Sequence, residues 1–233
     1  MTMPTPSAGY RLADGARVPG TTTIIGRFKE SGALLKWAYR QGREHEALAA
    51  AGKPAPRDLY EVTQAAADIG TVVHAMVEAS IKGQDALAVL AASDLSGEAV
   101  KKAESGHRAY LSWASMTRLE IVAQEIPLVS QAHRFGGTPD AIARVNGELC
   151  LVDWKTSNAV YSDYLLQLAA YRLLWEEEHP DQPLTAGFHL CRFSKEHGDF
   201  SHHFYADLSD ALRMFLLLRE AYGLDHGLRK RAA

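Results

Sequence analysis

The sequence predicts a mixed α/β (α+β) fold: a central mixed sheet flanked by helices, behind an N-terminal helical extension. Three observations predict it. Helix-period apolar patterns dominate the first half of the chain. Strand-like runs cluster between Glu120 and Lys155 and return between Leu184 and Ala206. A helical stretch separates the two strand groups, and that alternation of elements is the mark of helices packed on a sheet.

Taken in order, residues 1–20 read as an extended lead-in ending at Pro19-Gly20. Thr21 to about Ala50 reads as helical, with capping threonines ahead of Leu34, Leu35, Trp37 and Ala38. Gly52 to Pro56 is a break. A long helix is expected over Tyr60–Ile81, stopped by Gly83, and another from about Ser96 to Met116. Strands follow over Glu120–Ser130, Phe135–Val145 and Glu148–Lys155. The last two are joined by Asn146-Gly147, a dipeptide that favours the tight turn of a two-residue hairpin. A helix runs from about Ser162 to Glu178, before Pro180. Leu184–Phe193 and Phe200–Ala206 form a second hairpin, and a last helix covers about Ser209 to Tyr222. The whole chain, 1–233, reads as one domain: an extension over 1–59, a core over 60–206, and a C-terminal helix with a basic tail over 207–233.

Composition bounds the function. At 233 residues, 47% hydrophobic and 23% charged, the chain can bury a substantial core. No apolar run approaches the roughly 20 residues that span a membrane, and the start of the chain lacks the charged and apolar stretches of a signal peptide, so a cytoplasmic location is expected. Two cysteines, Cys150 and Cys191, cannot make a disulfide framework or a four-cysteine site. Both are expected as free core thiols. A net charge of -3 weighs against a passive nucleic-acid-coating protein, whose affinity comes from phosphate neutralisation. It is neutral towards an enzyme that clusters carboxylates.

The hairpin turn dates the register. With a two-residue loop, Val145 faces Glu148, Arg144 faces Leu149, Ile142 faces Leu151, and Asp140 falls opposite Asp153. Two aspartates facing each other in an apolar hairpin repel and resist desolvation. A divalent cation between them supplies a reason for the arrangement. Lys155 lies two residues past Asp153, on the same strand face. Two carboxylates and an ammonium together suit phosphodiester hydrolysis, where a metal lowers the pKa of the attacking water and a lysine steadies charge on the phosphate. The plain alternative is an Asp153–Lys155 surface ion pair with Asp140 in a turn. The apolar flanks Leu149, Leu151 and Val152 count against it.

Gly137-Thr138-Pro139-Asp140 followed by Asp153-Trp154-Lys155 resembles the signature of the PD-(D/E)XK nuclease superfamily. Three further features resemble its RecB-like exonuclease branch: Gly70-Thr71-Val72-Val73-His74 as a GxxxH helix motif, Gln167 with Tyr171 as a QxxxY motif, and Glu125 in the strand before the hairpin. The ordered set spans roughly residues 70–172, and the opening around Val18–Thr23 resembles phage and prophage members. The resemblance implies a restriction-endonuclease-like core, with His74, Asp140, Asp153 and the backbone carbonyl of Trp154 holding Mg2+ or Mn2+. It implies Lys155 as catalytic base or charge stabiliser, Gln167 and Tyr171 as substrate contacts, and Glu125 as an accessory. The branch often carries an iron–sulfur cluster on four cysteines. With two, no cluster is expected.

The remaining candidates divide by spacing. His74 shares a helix face with Gly70 and Glu78. Gly70 would allow the sheet or a substrate to approach, and Glu78 is left outside the metal's ligands. Thr156 and Ser157 either touch phosphate or cap the next helix. His202-His203 reads as surface, since adjacent strand residues point to opposite faces. Glu176-Glu177-Glu178 reads as a solvated run, and Arg229-Lys230-Arg231 as a solvated tail with weak DNA contact. The expectation is a metal-dependent exonuclease acting on DNA ends in phage-type recombination or repair, with DNA and a recombination or single-strand-annealing protein as partners. The alternatives are a structure-specific or nicking endonuclease of the same superfamily and an inactive nucleic-acid-binding or scaffold subunit. The absence of a separate target-recognition domain argues against a restriction enzyme.

Overall fold

The computed structural model describes residues 9–29, 32–53 and 69–232. Its elements in chain order are β1 (Tyr10–Arg11), β2 (Arg17–Val18), α1 (Thr21–Phe28), α2 (Gly32–Ala50), α3 (Ile69–Ile81), α4 (Ala86–Ala91) and α5 (Glu98–Met116). Then come β3 (Glu120–Gln124), β4 (Leu128–Ser130), β5 (Phe135–Gly137), β6 (Ala141–Val145), β7 (Glu148–Thr156), α6 (Ser162–Glu178), β8 (Phe188–Phe193), β9 (Phe200–Tyr205) and α7 (Ser209–Ala232).

The turn chemistry sets the centre of the sheet. Asn146 and Gly147 both take positive φ, 53° and 88°, as a two-residue hairpin turn requires. The expected register follows: Val145 pairs with Glu148, Arg144 with Leu149 and Ile142 with Leu151. Around this hairpin the five strands run in the order β3-β6-β7-β8-β9. The β7–β8 pair is parallel and the others are antiparallel. A parallel neighbour needs a crossover, and α6 is that crossover.

Strand alternation then divides the core. Ile142, Leu149, Leu151 and Leu190 point to one face, where they meet Leu168, Tyr171 and Leu174 of α6 and Phe215 of α7. Ala141, Ala143, Cys150, Val152, Trp154, Cys191 and Phe193 point to the other, where Val73, Met76 and Val77 of α3 and Tyr110 and Trp113 of α5 cover them. Both cysteines are free and fully buried. Among the described residues no helix is long and apolar enough to cross a membrane.

Several expected elements are corrected. Glu120–Ser130 is two strands in two sheets, because the chain turns at Glu125 (φ 51°) and Pro127 cannot donate to a ladder. Phe135–Val145 is likewise divided around Thr138-Pro139-Asp140, and β4–β5 forms a separate two-stranded sheet. The helical stretch from Thr21 separates into α1 and α2, with residues 30 and 31 outside the described residues. So are 60–68 of the expected long helix and 54–56 of the expected break. The short α4, with Asp85 accepting from the Leu87 amide at its start, has no counterpart in the sequence reading. The strand expected from Leu184 begins at Phe188, and α7 runs ten residues past Tyr222.

Two polar runs also differ from expectation. Glu176, Glu177 and Glu178 are not merely solvated. Glu176 accepts from Arg172 Nε (2.8 Å) and the Leu184 amide (3.0 Å). Glu177 accepts from the amides of Gln131 and Ala132, and Glu178 from that of Val129. Glu177 and Glu178 satisfy backbone donors at β4 and the turn after it, and Glu176 one at Leu184, all of which would otherwise need water. His202 is not simply surface: its Nε2 is 2.9 Å from His189 Nδ1, and its ring lies 4.8 Å from that of Trp113. His203 instead meets Ser201 Oγ at 3.1 Å.

Helix α3 lies tight against the end of the sheet at Gly70. A Cβ there would sit 2.6 Å from the Ser194 carbonyl oxygen and 2.8 Å from Thr156 Cγ2. The close approach expected of Gly70 is therefore to the sheet. A backbone atom cannot move aside cheaply, so Gly70→Ala is expected to cost about 1–3 kcal/mol, the usual range for overpacking. A lower midpoint of urea unfolding with an unchanged slope would record it.

Candidate active site

The β6–β7 ladder ends at the Ala141–Val152 pair. Extending the register by two places Pro139 opposite Trp154; a proline has no N–H to give the Trp154 carbonyl, and the ladder stops short of that pair. The Trp154 amide, which would have met a strand carbonyl, instead donates to Asp140 Oδ2 at 2.8 Å. The Trp154 carbonyl points to that same side, since the N–H and C=O of a strand residue face one neighbour. Asp140 is thus turned inward by a backbone demand, and it is 7% exposed. Two contacts hold the loop carrying it: Tyr10 Oη lies 2.9 Å from Thr138 Oγ1, and Thr21 Oγ1 donates to the Gly136 carbonyl at 3.0 Å.

Asp153 comes from the middle of β7, now paired with β8, and is fully buried. Lys155, two residues on, reaches back over it. Its Nζ donates to Asp153 Oδ1 at 2.9 Å and lies 2.7 Å from Oδ2. Asp153 Oδ2 is buried and closes no hydrogen bond of its own. Asp140 and Asp153 lie near enough to influence each other's titration. Asp140, however, lies just beyond the strand pairing rather than within it.

His74 arrives from α3 on the opposite side of the sheet. Burial first, and then the charge of Lys155, push its pKa down to about 4, so at neutral pH the ring is an uncharged nitrogen donor. Its Nε2 is 3.6 Å from Glu78 Oε1. Glu78, set aside on sequence grounds, has its own carboxyl raised by burial. Glu125 lies just past β3 rather than in it. Its amide donates to the Asp140 carbonyl at 3.1 Å, and its carboxylate is 3.6 Å from Lys82 Nζ.

Gln167 and Tyr171 are buried on α6 and bonded to each other, Nε2 to Oη at 2.7 Å. Thr156 Oγ1 donates to the Gly70 carbonyl (3.3 Å) and Ser157 Oγ to that of Ala159 (2.8 Å). Neither caps α6, whose N-cap is Tyr161 with no side-chain bond. The sequence reading passed over Tyr164, whose ring centroid is 5.6 Å from Lys155 Nζ. The signal was available: 164, 167 and 171 recur at helical spacing.

The titrations of the central groups are set by burial. Burial raises the carboxyl of Asp153, and Asp140 raises it further, against the pull of Lys155. Asp140 is also raised by burial, against Lys155 and the Trp154 amide. Burial alone would lower Lys155, but Asp153 and Asp140 outweigh it and keep the ammonium charged. A carboxyl with a raised pKa contributes stability that is complete below the unfolded value of about 4 and is lost as pH rises through the raised value. In a chelator, the wild-type fold should therefore weaken with rising pH across that window. Asp140→Asn keeps an oxygen for the Trp154 amide and removes one buried charge. Its melting temperature in EDTA at pH 8 is expected to equal or exceed that of wild type, by about 2–4 °C for each kcal/mol recovered, with a shallower pH dependence. A mutant melting well below wild type would show that the two carboxylates do not oppose each other.

Comparison with known proteins bears on this geometry. No curated protein matches the sequence. Among solved structures, the chain is similar to a presumed exonuclease from Eubacterium rectale, at 12% identity and a TM-score of 0.46 over 67% of this chain and 69% of that one. It is also similar to the protein SSO0001, at 16% identity and a TM-score of 0.31 over 53% of this chain and 62% of that one. A family model matches residues 35–221, a span that contains Asp140, Asp153 and Lys155 together with α3 and α6. By that match the chain belongs to the PD-(D/E)XK nuclease superfamily.

Proposed function

We propose that this nuclease is a metal-dependent DNA exonuclease that hydrolyses phosphodiester bonds at DNA ends, with Asp140, Asp153 and Lys155 as its catalytic centre. The observation that carries the reading is the buried carboxylate pair, in which Asp140 raises the carboxyl of Asp153 and the Lys155 ammonium is held on Asp153. A fold gains nothing in stability from two carboxyls whose ionisation it must resist. A reaction centre that has to attract cations and then phosphate does gain from them.

Nucleases of this superfamily generally use divalent metals such as Mg2+. The donors here suit such an ion: two carboxylates, one with a buried oxygen that closes no hydrogen bond and meets only the Lys155 ammonium, a carbonyl at Trp154 on the side where Pro139 has no N–H, and a neutral imidazole at His74. Among the described residues no three His, Cys, Asp or Glu side chains close into a cage. Mg2+ needs none, since it keeps several waters and binds through one or two carboxylates and substrate oxygens. Asp140 and Asp153 would hold Mg2+ or Mn2+, with His74 and the Trp154 carbonyl as further ligands. The bound ion supplies neutralisation of the phosphate and a lowered pKa for the attacking water.

The protein's own groups do the rest. Asp140, fixed by the Trp154 amide, presents its second oxygen in a constant direction. Lys155 is held charged by both aspartates, so it can steady the negative charge that builds on the phosphate oxygens. Gln167 and Tyr171, buried and bonded to each other on α6, are the proposed substrate contacts. A role in phage-type recombination or repair, beside a single-strand-annealing partner, follows the RecB-like motifs.

Two results are expected. Cleavage of labelled DNA requires Mg2+ or Mn2+ and stops in EDTA; full activity in the chelator would exclude this mechanism. Linear DNA is degraded while covalently closed circles persist, and rapid cutting of circles would favour an endonuclease instead.

Lys155→Ala tests the division of labour. Turnover should fall by roughly 100- to 1,000-fold, as for loss of one group that stabilises transition-state charge. The variant should still gain stability from Mn2+, by about 2.7 kcal/mol at a hundredfold excess over the dissociation constant. A thermal melt with and without Mn2+, run beside the cleavage assay, separates the two. Retained turnover with lost metal stabilisation would reverse the assigned roles.

A further inference from the structure

An aromatic path leads from Lys155 to solvent at the start of α6. The half-buried Tyr164 ring sits beside Lys155, with Nζ 5.6 Å from its centroid. Tyr161 meets Tyr164 edge-on, at 5.6 Å between centroids and 82° between planes. Tyr161 is 47% exposed. Beside it stands Lys29, with Nζ 5.9 Å from the Tyr161 centroid. Asp163 holds Lys29 there through a 2.7 Å ion pair, yet the lysine side chain keeps 57% of its surface in water. From the buried centre outward the order is ammonium, ring, ring, ammonium.

Tyr164 packs against the core, but Tyr161 and Lys29, at the outer end of the row, stand outside it. The Tyr161 side chain makes no capping bond for the helix it precedes, and leaving so large a ring in water forfeits the benefit of burying it. What suits an exposed ring flanked by cations is an unpaired base with its phosphates. A base in a single strand offers a free π-face for stacking on an aromatic, while lysines follow the backbone. Within a duplex the base faces are already stacked on one another. Tyr164, wedged between Tyr161 and Lys155, fixes how far the platform stands from the reacting phosphate.

We propose that Tyr161 is the stacking platform for a base of a single-stranded DNA end, with Lys29 against a neighbouring phosphate, so that single strands rather than blunt duplexes are the substrate class. This rests on the nuclease reading above and adds to it a strand preference and two positioning residues.

The test compares kcat and KM of wild type, Tyr161→Ala, Tyr161→Trp and Lys29→Ala with Mn2+. The substrates are a labelled single-stranded oligonucleotide and a blunt duplex of the same sequence. Tyr161→Ala should raise KM for the single strand about fivefold or more, the effect of one lost base–aromatic stack, with kcat little changed. Tyr161→Trp should restore it, because the indole offers a larger face. Lys29→Ala should raise the single-strand KM and weaken its dependence on salt. An equal change on both substrates, or no change on the single strand, would overturn the platform.

Binding of the same oligonucleotide in EDTA, read by fluorescence anisotropy, separates the two readings. If nothing is cleaved but Tyr161→Ala still weakens single-strand binding, the platform stands and the nuclease reading falls. If cleavage proceeds and the variant binds like wild type, the platform falls alone. Thermal melts of each variant establish that the fold is intact.

Discussion

The β6–β7 ladder stops where Pro139 would have to donate an N–H to Trp154 and has none. Much of the site's geometry follows from that stop. With the pairing ended there, the Trp154 N–H is also without a ladder partner, and a buried amide left unmet costs about 1–3 kcal/mol. Asp140 meets it at 2.8 Å. The carboxylate is thereby drawn inward, next to Asp153, in a place where burial penalises its charge. The proline and the aspartate of the motif act together: the first ends the pairing because it has no N–H for the Trp154 carbonyl, and the second accepts from the Trp154 N–H that the ended pairing leaves free.

Once two carboxyls are buried together, a cation has to follow. Lys155 supplies one, fixed by strand period to the same face as Asp153 and lying 2.7–2.9 Å from both its oxygens. Two carboxyls against one ammonium still leave the cluster net negative when all are ionised. His74 does not correct this, because burial and Lys155 together hold it neutral. The remaining electrostatic demand suits a divalent ion. It also explains why a chain of net charge -3 is compatible with a polyanionic substrate: attraction can be local and depend on loading, without a basic surface.

Helices on both faces of the sheet keep this arrangement in place. The α3 backbone is pressed against Ser194 and Thr156 through Gly70, which fixes the height from which His74 reaches the sheet. On the other face α6 returns the chain for the parallel β8 strand and carries Gln167, Tyr171, Tyr164 and, at its start, Tyr161. The N-terminal hairpin is more than a lead-in. Gly136 donates to the Pro19 carbonyl, and Tyr10 bonds Thr138, so the segment clasps the loop that delivers Asp140.

Local chemistry was enough for some of this. Asn146-Gly147 determined the hairpin and its register, because only residues tolerant of positive φ fit that turn. The bounds of α6, Ser162 to Glu178, were legible from helical period and the following proline. The closeness of Asp140, Asp153 and Lys155 follows from counting outward from the turn. What the sequence could not determine depended on distant partners. The divided strands at 120–130 and 135–145 are decided by which edge each half finds to pair with. The roles of Glu176, Glu177 and Glu178 depend on backbone donors some 8 to 49 residues away. His202 reads as surface until His189 and Trp113 are packed beside it. The titrations of the buried acids depend on desolvation, which exists only after both faces of the sheet have been covered. Period and turn residues act over a few neighbours and are written in the sequence. Pairing edges, burial and electric field belong to the assembled fold, because they are set by atoms that the chain brings together only at the end.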